Sequence, residues 1–335
     1  MGGVIQSRFE PWIIKVRRWN SVPSVIAIVN GDPPVSNKVP LHQKTTAGAF
    51  ELADFDDGLI DRYRRILDEK PPAGRQKEQV VQDFLEQHTR FIPTPNLLNH
   101  QLHFETILSK FALDTDHIPD YCYITRSSGL WRIILVELES PDKPIFNKDE
   151  ENPVFSSKFH EAVAQVQSWK SLIEDSKAAV TERFTPLMAP LDHPKNPVEF
   201  KYQLIIGRSA NKNKNFQRKQ AFLRKSVETQ IDIFTYDQLI DYHCTEKPKL
   251  VMRRTKNDKF EFKYMHFHPN KIFARIGPDT LILRSDQKRE LIKAGYEIQK
   301  WEKNDLLTFS NKLADSTGRE LELELLGDYP FIQTD

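Results

Sequence analysis

Three acidic residues in the middle of the chain have the types and spacing that could hold a divalent metal ion. Glu137 and Glu139 end an apolar run, residues 132–139, and Asp120 lies upstream of it. In an extended strand the side chains of Glu137 and Glu139 point to the same face. The residues of opposite parity are also apolar, which predicts a strand covered on both faces. Carboxylates at the end of such a strand cost free energy unless they are compensated, and a divalent cation is the simplest compensation.

The residues between these acids predict an antiparallel hairpin. Residues 121–125 are typical of a strand, and a turn signal follows them. A two-residue turn at Ser128-Gly129 places Asp120 opposite Glu137 when the pairs are counted back along the ladder. Directly opposed residues have Cβ atoms roughly 5 Å apart.

Two carboxylates at that separation repel each other unless they share a proton or a metal ion. Hard oxygen ligands favour Mg2+, with Mn2+ as its substitute, over zinc. The spacing therefore predicts an octahedral metal held by Asp120 and Glu137, with Glu139 beside it. The alternative is that these acids are solvated residues at a strand end.

Composition limits the class of protein around this site. The chain has 335 residues, 39% of them hydrophobic and 28% charged, which allows two or three domains with their own cores. No run is long enough to span a bilayer, and the first residues lack the apolar core of a secretion signal. The two cysteines, Cys122 and Cys244, exclude a disulfide framework and fit a reducing cytoplasm. The net charge of +1 neither demands nor excludes a nucleic-acid partner.

The elements that must position the acids follow from the hydrophobic periodicity. Helices are predicted at residues 54–68, 78–87, 156–173 and from 236 onward, and further strands at 200–206 and 231–234. This order predicts an α/β fold with a mixed sheet. Beyond Pro248, strands are predicted near 250–254, 260–267, 271–276 and 280–284, and helices near 286–294 and 303–314.

Breaks in the pattern divide the chain into three predicted domains. The segment 71–74, Pro-Pro-Ala-Gly, ends a small N-terminal α+β module at residues 1–72, whose apolar stretches near residues 12–14 and 25–29 are typical of short strands. The α/β core occupies residues 73–246, and a C-terminal α+β module occupies residues 247–335.

The three acids Asp120, Glu137 and Glu139 follow an acidic helix and precede a helix that bears Gln165. This arrangement resembles the PD-(D/E)xK nuclease superfamily, whose core is restriction-endonuclease-like. The motifs Val-Glu-Leu-Glu-Ser-Pro-Asp-Lys-Pro-Ile-Phe at 136–146 and Ala-Val-Ala-Gln-Val-Gln-Ser-Trp at 162–169 narrow the resemblance to the nuclease domain of Shedu anti-phage defence proteins. Residues 78–85, 205–208 and 235–237 fit the same domain. The resemblance covers roughly residues 75–245.

The resemblance implies a Mg2+-dependent endonuclease that hydrolyses DNA phosphodiester bonds, with Asp120 and Glu137 as metal ligands. The superfamily usually has lysine at the position of Glu139, where it acts on the attacking water. Glu139 here is the base or helps to hold a second metal. If the positive charge of the usual lysine is supplied from another position in this chain, Lys143 and Lys158 are the candidates.

Two helices carry further candidates. Glu78 lies on the helix before the hairpin and is a candidate for a water-mediated contact to the metal. The resemblance gives Gln165 the role of orienting the site or touching a phosphate, with Trp169 one turn later in the core. Each has a plain alternative, an exposed carboxylate for Glu78 and a rim residue for Gln165.

A basic stretch follows the strand at 200–206 and contains no acid up to residue 225. Such a run can neutralise DNA phosphates without reading sequence, or it can be a solvated helix face. The phosphate candidates are Arg208, Lys212, Lys214, Arg218 and Lys219.

The sequence thus predicts a cytoplasmic, metal-dependent endonuclease that acts on double-stranded DNA in anti-phage defence and works as a homo-oligomer, since cutting both strands takes two sites. One alternative is a catalytically weak or inactive nuclease fold that binds DNA ends or a partner. Another is a metal-dependent phosphatase or nucleotide hydrolase that uses the same carboxylates.

Overall fold

The computed structural model describes residues 57–148, 153–188, 196–269 and 271–307. The short strands predicted in the first 30 residues lie outside this part of the chain. The described strands are β1 (Leu102–Ser109), β2 (Tyr121–Arg126), β3 (Trp131–Leu138), β4 (Val198–Ile205), β5 (Ile231–Phe234), β6 (Leu250–Arg254), β7 (Phe260–Tyr264) and β8 (Leu281–Ile282).

The described helices are α1 (Asp57–Asp68), α2 (Lys77–Gln87), α3 (Ser157–Glu182), α4 (Thr185–Met188), α5 (Ser209–Lys212), α6 (Phe216–Thr229), α7 (Leu239–Thr245), α8 (Ser285–Lys293) and α9 (Ile298–Trp301). Short 3-10 turns occur at Thr89–Phe91, Leu98–His100 and Tyr236–Gln238. Ser156 caps α3, because its Oγ accepts a hydrogen bond of 3.1 Å from the backbone of Phe159.

The strands form one mixed sheet in the order β5-β4-β3-β2-β1-β6-β7-β8. The pairs β1–β2, β2–β3 and β6–β7 are antiparallel, whereas β3–β4, β4–β5, β1–β6 and β7–β8 are parallel. The crossover between β3 and β4 contains α3, and the crossover between β4 and β5 contains α6. The predicted α/β class with a mixed sheet is therefore confirmed.

Helices cover both faces of the sheet, as the two-sided apolar pattern of β3 predicts. On one face Ile133 and Leu135 join a buried cluster with Val166 of α3. On the other face Ile134 and Val136 join a second cluster that includes residues of α1, α2 and α7. A central strand buried on both faces leaves only its end for polar residues, which is where the acids lie.

Three secondary-structure predictions were wrong. Residues 271–276 form turns rather than a strand, since buried Ile272, Phe273 and Ile276 have helical spacing and Ile276 N donates to Ile272 O at 2.7 Å. Residues 303–307 are not helical, because α9 ends at Trp301 and the chain turns through Asn304 at φ 66°. Helix α3 continues past residue 173 to Glu182 with a break at Ser176. Strand β1 was not predicted.

The sheet extends across the domain boundary predicted at residue 246. Strand β6 pairs in parallel with β1, and β7 and β8 continue the sheet from there. Helix α1, which the sequence placed in the N-terminal module, packs its buried Tyr63 into the same cluster as Phe84 of α2. The described parts of all three predicted segments thus share one sheet and its two apolar layers, while the domain boundaries themselves stay a prediction.

Candidate metal centre

The β2–β3 hairpin has the register that the sequence predicts. Ser127 N donates to Leu130 O at 2.9 Å across the two-residue turn. The ladder then runs without a shift to the pair Tyr121–Val136, so that Asp120 lies opposite Glu137 at its end. The predicted register of the hairpin is confirmed.

Asp120 is only 2% exposed, and the hairpin and β1 hold its carboxylate from two sides. Oδ2 accepts a hydrogen bond of 2.7 Å from the backbone of Leu138. Oδ1 accepts one from the ammonium of Lys110, the residue that follows β1. Burial nevertheless raises the pKa of Asp120, with the Lys110 charge acting in the opposite direction.

Glu137 is buried beside Asp120, and only one of its two oxygens is satisfied. Oε1 accepts a hydrogen bond from Gln165 Nε2 on α3, whereas Oε2 is buried without a hydrogen-bond partner. Burial, together with the charges of Asp120 and Glu139, raises the pKa of Glu137 to about 10. A buried carboxylate oxygen that lacks a donor has a free coordination position for a proton or a cation.

Glu139 and Glu78 complete a cluster of four acids. Glu139 is 5% exposed, its backbone N–H donates to Ile205 O at 2.8 Å, and its Oε2 pairs with the ammonium of Lys143. Glu78, on α2, is partly buried, and burial followed by the charges of Asp120 and Glu139 raises its pKa. The structure therefore brings Glu78, Asp120, Glu137 and Glu139 into electrostatic contact, with Gln165 bonded to one of them.

Two lysines offset this negative charge, and the sequence pointed to only one of them. Lys143 pairs with Glu139. Lys158, the other candidate for a migrated positive charge, instead forms an exposed pair with Glu161 at 2.8 Å. Lys110 was missed because the strand before it was missed. Burial lowers the pKa of Lys110, but the stronger combined effect of Asp120, Glu137 and Glu78 raises it overall.

The donor set suits a hard cation that keeps several water ligands. Within the described residues, no group of three or more His, Cys, Asp or Glu side chains is arranged to hold a metal ion. Mg2+ commonly binds through one or two carboxylates, with water and substrate phosphate as its other ligands. The Asp120–Glu137 pair, with the unsatisfied Oε2, fits that mode of binding, while Glu139 is turned toward Lys143.

Comparison with known proteins identifies the segment that carries this cluster. Residues 75–240 match the family model described as Shedu protein SduA, C-terminal. These residues belong to the Shedu family. Shedu membership implies a role in anti-phage defence. No curated protein gives a significant match to the chain.

The Shedu segment includes the basic stretch, and both arginines among its five phosphate candidates have several internal contacts. Arg208 binds Asp237 at 2.9 Å and Asp68 at 2.5 Å. Arg218 is 1% exposed, lies over the ring of Phe146, and donates to the backbone carbonyl of Asn147 at 2.5 Å. Both guanidinium groups therefore bind other parts of the fold, although Arg208 stays partly exposed.

The three lysines of that stretch differ in their exposure. Lys212 is partly buried over the ring of Phe222, and its ammonium donates to Gln238 at 3.2 Å. Lys214 is exposed just before α6, and Lys219 is exposed on α6. A phosphate contact therefore remains a prediction that rests mainly on Lys214 and Lys219. In the described part of this Shedu chain, no helix is both long and apolar enough to cross a membrane.

Proposed function

We propose that this Shedu protein is a Mg2+-dependent DNA endonuclease of the PD-(D/E)xK type that acts in anti-phage defence. Asp120 and Glu137 would hold the metal, with Mn2+ as a substitute for Mg2+. The observation that carries the proposal is the buried, unpartnered Oε2 of Glu137 opposite Asp120, in a carboxylate whose pKa is raised to about 10. Such an oxygen is costly in the free protein and is satisfied by a cation.

Each residue of the cluster has a distinct task in phosphodiester hydrolysis. When bound, Mg2+ supplies charge stabilisation at phosphorus and lowers the pKa of water. Glu139 accepts the proton of the attacking water as the new P–O bond forms, and solvent protonates the oxygen that leaves phosphorus. Lys143 keeps the Glu139 carboxylate in place. Gln165 fixes the orientation of Glu137 through Oε1.

The partners follow from the reaction. Cutting both strands of a duplex takes two sites, so we propose that the protein acts as a homo-oligomer on double-stranded DNA. The exposed ammonium groups of Lys214 and Lys219 would contact phosphates without reading the base sequence.

A second candidate function is a nuclease fold that binds DNA ends or a partner without cutting. Two observations favour it. Glu139 occupies the position where the superfamily usually has lysine, and Lys110 and Lys143 already pair with two of the acids. A site neutralised by its own lysines is stable without a metal, although the unsatisfied Oε2 of Glu137 is left unexplained.

Cleavage assays with the purified full-length protein test the choice. Linear and circular duplex DNA are incubated with Mg2+, with Mn2+ and with a chelator. The variants are Asp120→Asn and Glu137→Gln. The matched control is Glu161→Gln, which changes an exposed acid on α3 that pairs only with Lys158.

Cutting that needs the metal, is lost in both site variants and persists in the control is the expected result. Binding of DNA that survives both substitutions, with no cutting under any metal, would establish the binding module instead. Cleavage of nucleotides or small phosphodiesters in preference to DNA would point to the phosphatase alternative.

A further inference from the structure

A second polar site lies at the end of α3, in a cleft of about 640 Å3 that none of the four acids lines. Its walls combine apolar side chains from the loop after β1 and from α3, among them Leu113, Leu172 and Val180. Two arginines, Arg183 and Arg254, also line it. A volume of this size and mixed character is typical of a site for a small molecule.

The two arginines have unused hydrogen-bond donors. Arg183 follows the last residue of α3, and its Nε is buried without a hydrogen-bond partner. Arg254 ends β6, and both its Nε and its Nη1 are buried without one. Arg254 Nε lies 3.2 Å from Asp258, but that acid is 76% exposed, so the ion pair is largely screened by solvent. Because these nitrogens are shielded from solvent, a ligand in the cleft would meet the remaining nitrogens of the two guanidinium groups.

The arginines also repel each other. Burial lowers the pKa of Arg254, the charge of Asp258 raises it in part, and the charge of Arg183 lowers it again. The ring of Phe111 lies 5.6 Å from the Arg254 guanidinium and fixes its plane. Two like charges held together in a partly apolar cleft are stabilised when an anion bridges them.

The acids near the cleft do not supply that anion. Asp114 is occupied by His117, with its ring nitrogen 2.9 Å away and the backbone N–H at 2.7 Å. Glu182 lines the cleft but is exposed, so water screens its charge. The two acids and two arginines that line the cleft therefore balance in formal charge, but the acids are paired or exposed whereas several guanidinium donors have no partner.

We propose that this cleft binds an organic phosphate of the nucleotide class. Its phosphate oxygens pair with Arg183 and Arg254, and its less polar part lies along Leu113, Leu172 and Val180. Guanidinium groups match phosphate oxygens in geometry and in charge. Helix α3 is broken at Ser176, which also lines the cleft and lies between Leu172 and Val180 in the chain. The proposal is independent of the nuclease activity.

Calorimetric titration of the full-length protein tests the proposal, with chelator present so that the acid cluster binds no metal. The probes are ATP, pyrophosphate and citrate, followed by a short DNA duplex. The variants are Arg183→Gln and Arg254→Gln. Arg253→Gln is the matched control, because Arg253 is the neighbouring residue on β6, is exposed and pairs with Glu261.

Saturable binding of ATP is expected, weakened about tenfold or more in each cleft variant and unchanged in Arg253→Gln. It should also persist in Glu137→Gln. Pyrophosphate should compete with ATP, and citrate should not. Because Arg254 packs on Phe111, circular dichroism checks that each variant is folded, and Arg183→Gln alone decides the matter should Arg254→Gln unfold.

Several results would overturn the proposal. One is the absence of saturable binding of ATP and pyrophosphate, and another is equal loss in the Arg253→Gln control. Citrate binding as tight as that of ATP would make the ligand a carboxylate. Arginine-dependent binding of the duplex without binding of ATP would make the cleft a DNA contact.

Discussion

Gln165 donates a hydrogen bond to Oε1 of Glu137 and leaves Oε2 of the same carboxylate buried without a partner. The contact comes from α3, which packs on one face of the sheet, and it fixes the orientation of Glu137. It also shows that the free protein leaves one oxygen of this buried acid unsatisfied. Replacing Glu137 by a side chain that does not ionise should therefore have opposite effects on stability and on activity.

The first prediction concerns Glu137→Gln. The amide still accepts from Gln165 and, unlike Glu137, takes up no proton on folding, so the free energy of unfolding at pH 8 in chelator should rise by about 1–3 kcal/mol. Cleavage of DNA should be lost. Urea denaturation and the cleavage assay measure the two effects, with Glu161→Gln as the control. A lower free energy of unfolding in Glu137→Gln would show that the buried carboxylate is satisfied in solution.

The second prediction is the dependence of the metal-free protein on pH. The pKa of Glu137 is about 10 in the fold and near 4.5 when unfolded. Between these values the native state holds a proton that the unfolded state has lost, so stability falls as pH rises, by at most about 1.4 kcal/mol per pH unit from this group. Below pH 4.5 its contribution is fully present.

Mg2+ should reverse that trend, because binding to the carboxylate competes with the proton. The stabilisation that Mg2+ gives should therefore increase from pH 6 to pH 9, and the increase should be absent in Glu137→Gln. Thermal melting with and without Mg2+ across this range measures it. Equal stabilisation at every pH would place the metal elsewhere.

The third prediction separates the two lysines of the cluster. Lys110 pairs with Asp120, and Lys143 pairs with Glu139. If Lys143 positions the base, Lys143→Met should lower kcat by about 10- to 100-fold with little change in the Mg2+ concentration needed. Lys110→Met removes a competing cation from a metal ligand, so it should lower the Mg2+ concentration needed for half-maximal cleavage.

Steady-state cleavage over a Mg2+ series measures both effects. Lys158→Met is the control, since Lys158 is exposed and pairs only with Glu161. Identical behaviour of Lys110→Met and Lys143→Met would contradict the separate roles.

The position of Asp120 relative to Glu137 could be predicted because local rules determine the geometry of a hairpin. A two-residue turn fixes the hairpin register, and register fixes which residues face each other. Counting from Ser128-Gly129 was enough to place Asp120 opposite Glu137. The positions of most helices follow from hydrophobic periodicity, which is also a local signal.

Lys110 could not be found in this manner because its strand is irregular. In β1 the residues Phe104 and Glu105 have φ angles of 53° and 54°, and the register with β2 shifts between Leu102 and Ile107. Such a strand lacks the regular alternation that a sequence search uses. Its partner on the other side, β6, is more than a hundred residues away in the chain, and no local signal predicts that pairing.

The fourth prediction separates the two kinds of residue in the basic stretch, a distinction that charge alone cannot make. Lys219 is exposed on α6, whereas Arg218, its neighbour, is buried against carbonyl groups of Asn147 and Lys148. Lys219→Ala should weaken binding to duplexes of any sequence and reduce the slope of log K against log salt by about 1. Arg218→Ala should instead lower the free energy of unfolding by about 2–3 kcal/mol, because buried carbonyls lose their donor.

Filter binding over a salt series and urea denaturation measure the two outcomes. A salt slope that Lys219→Ala leaves unchanged would remove α6 from the DNA interface.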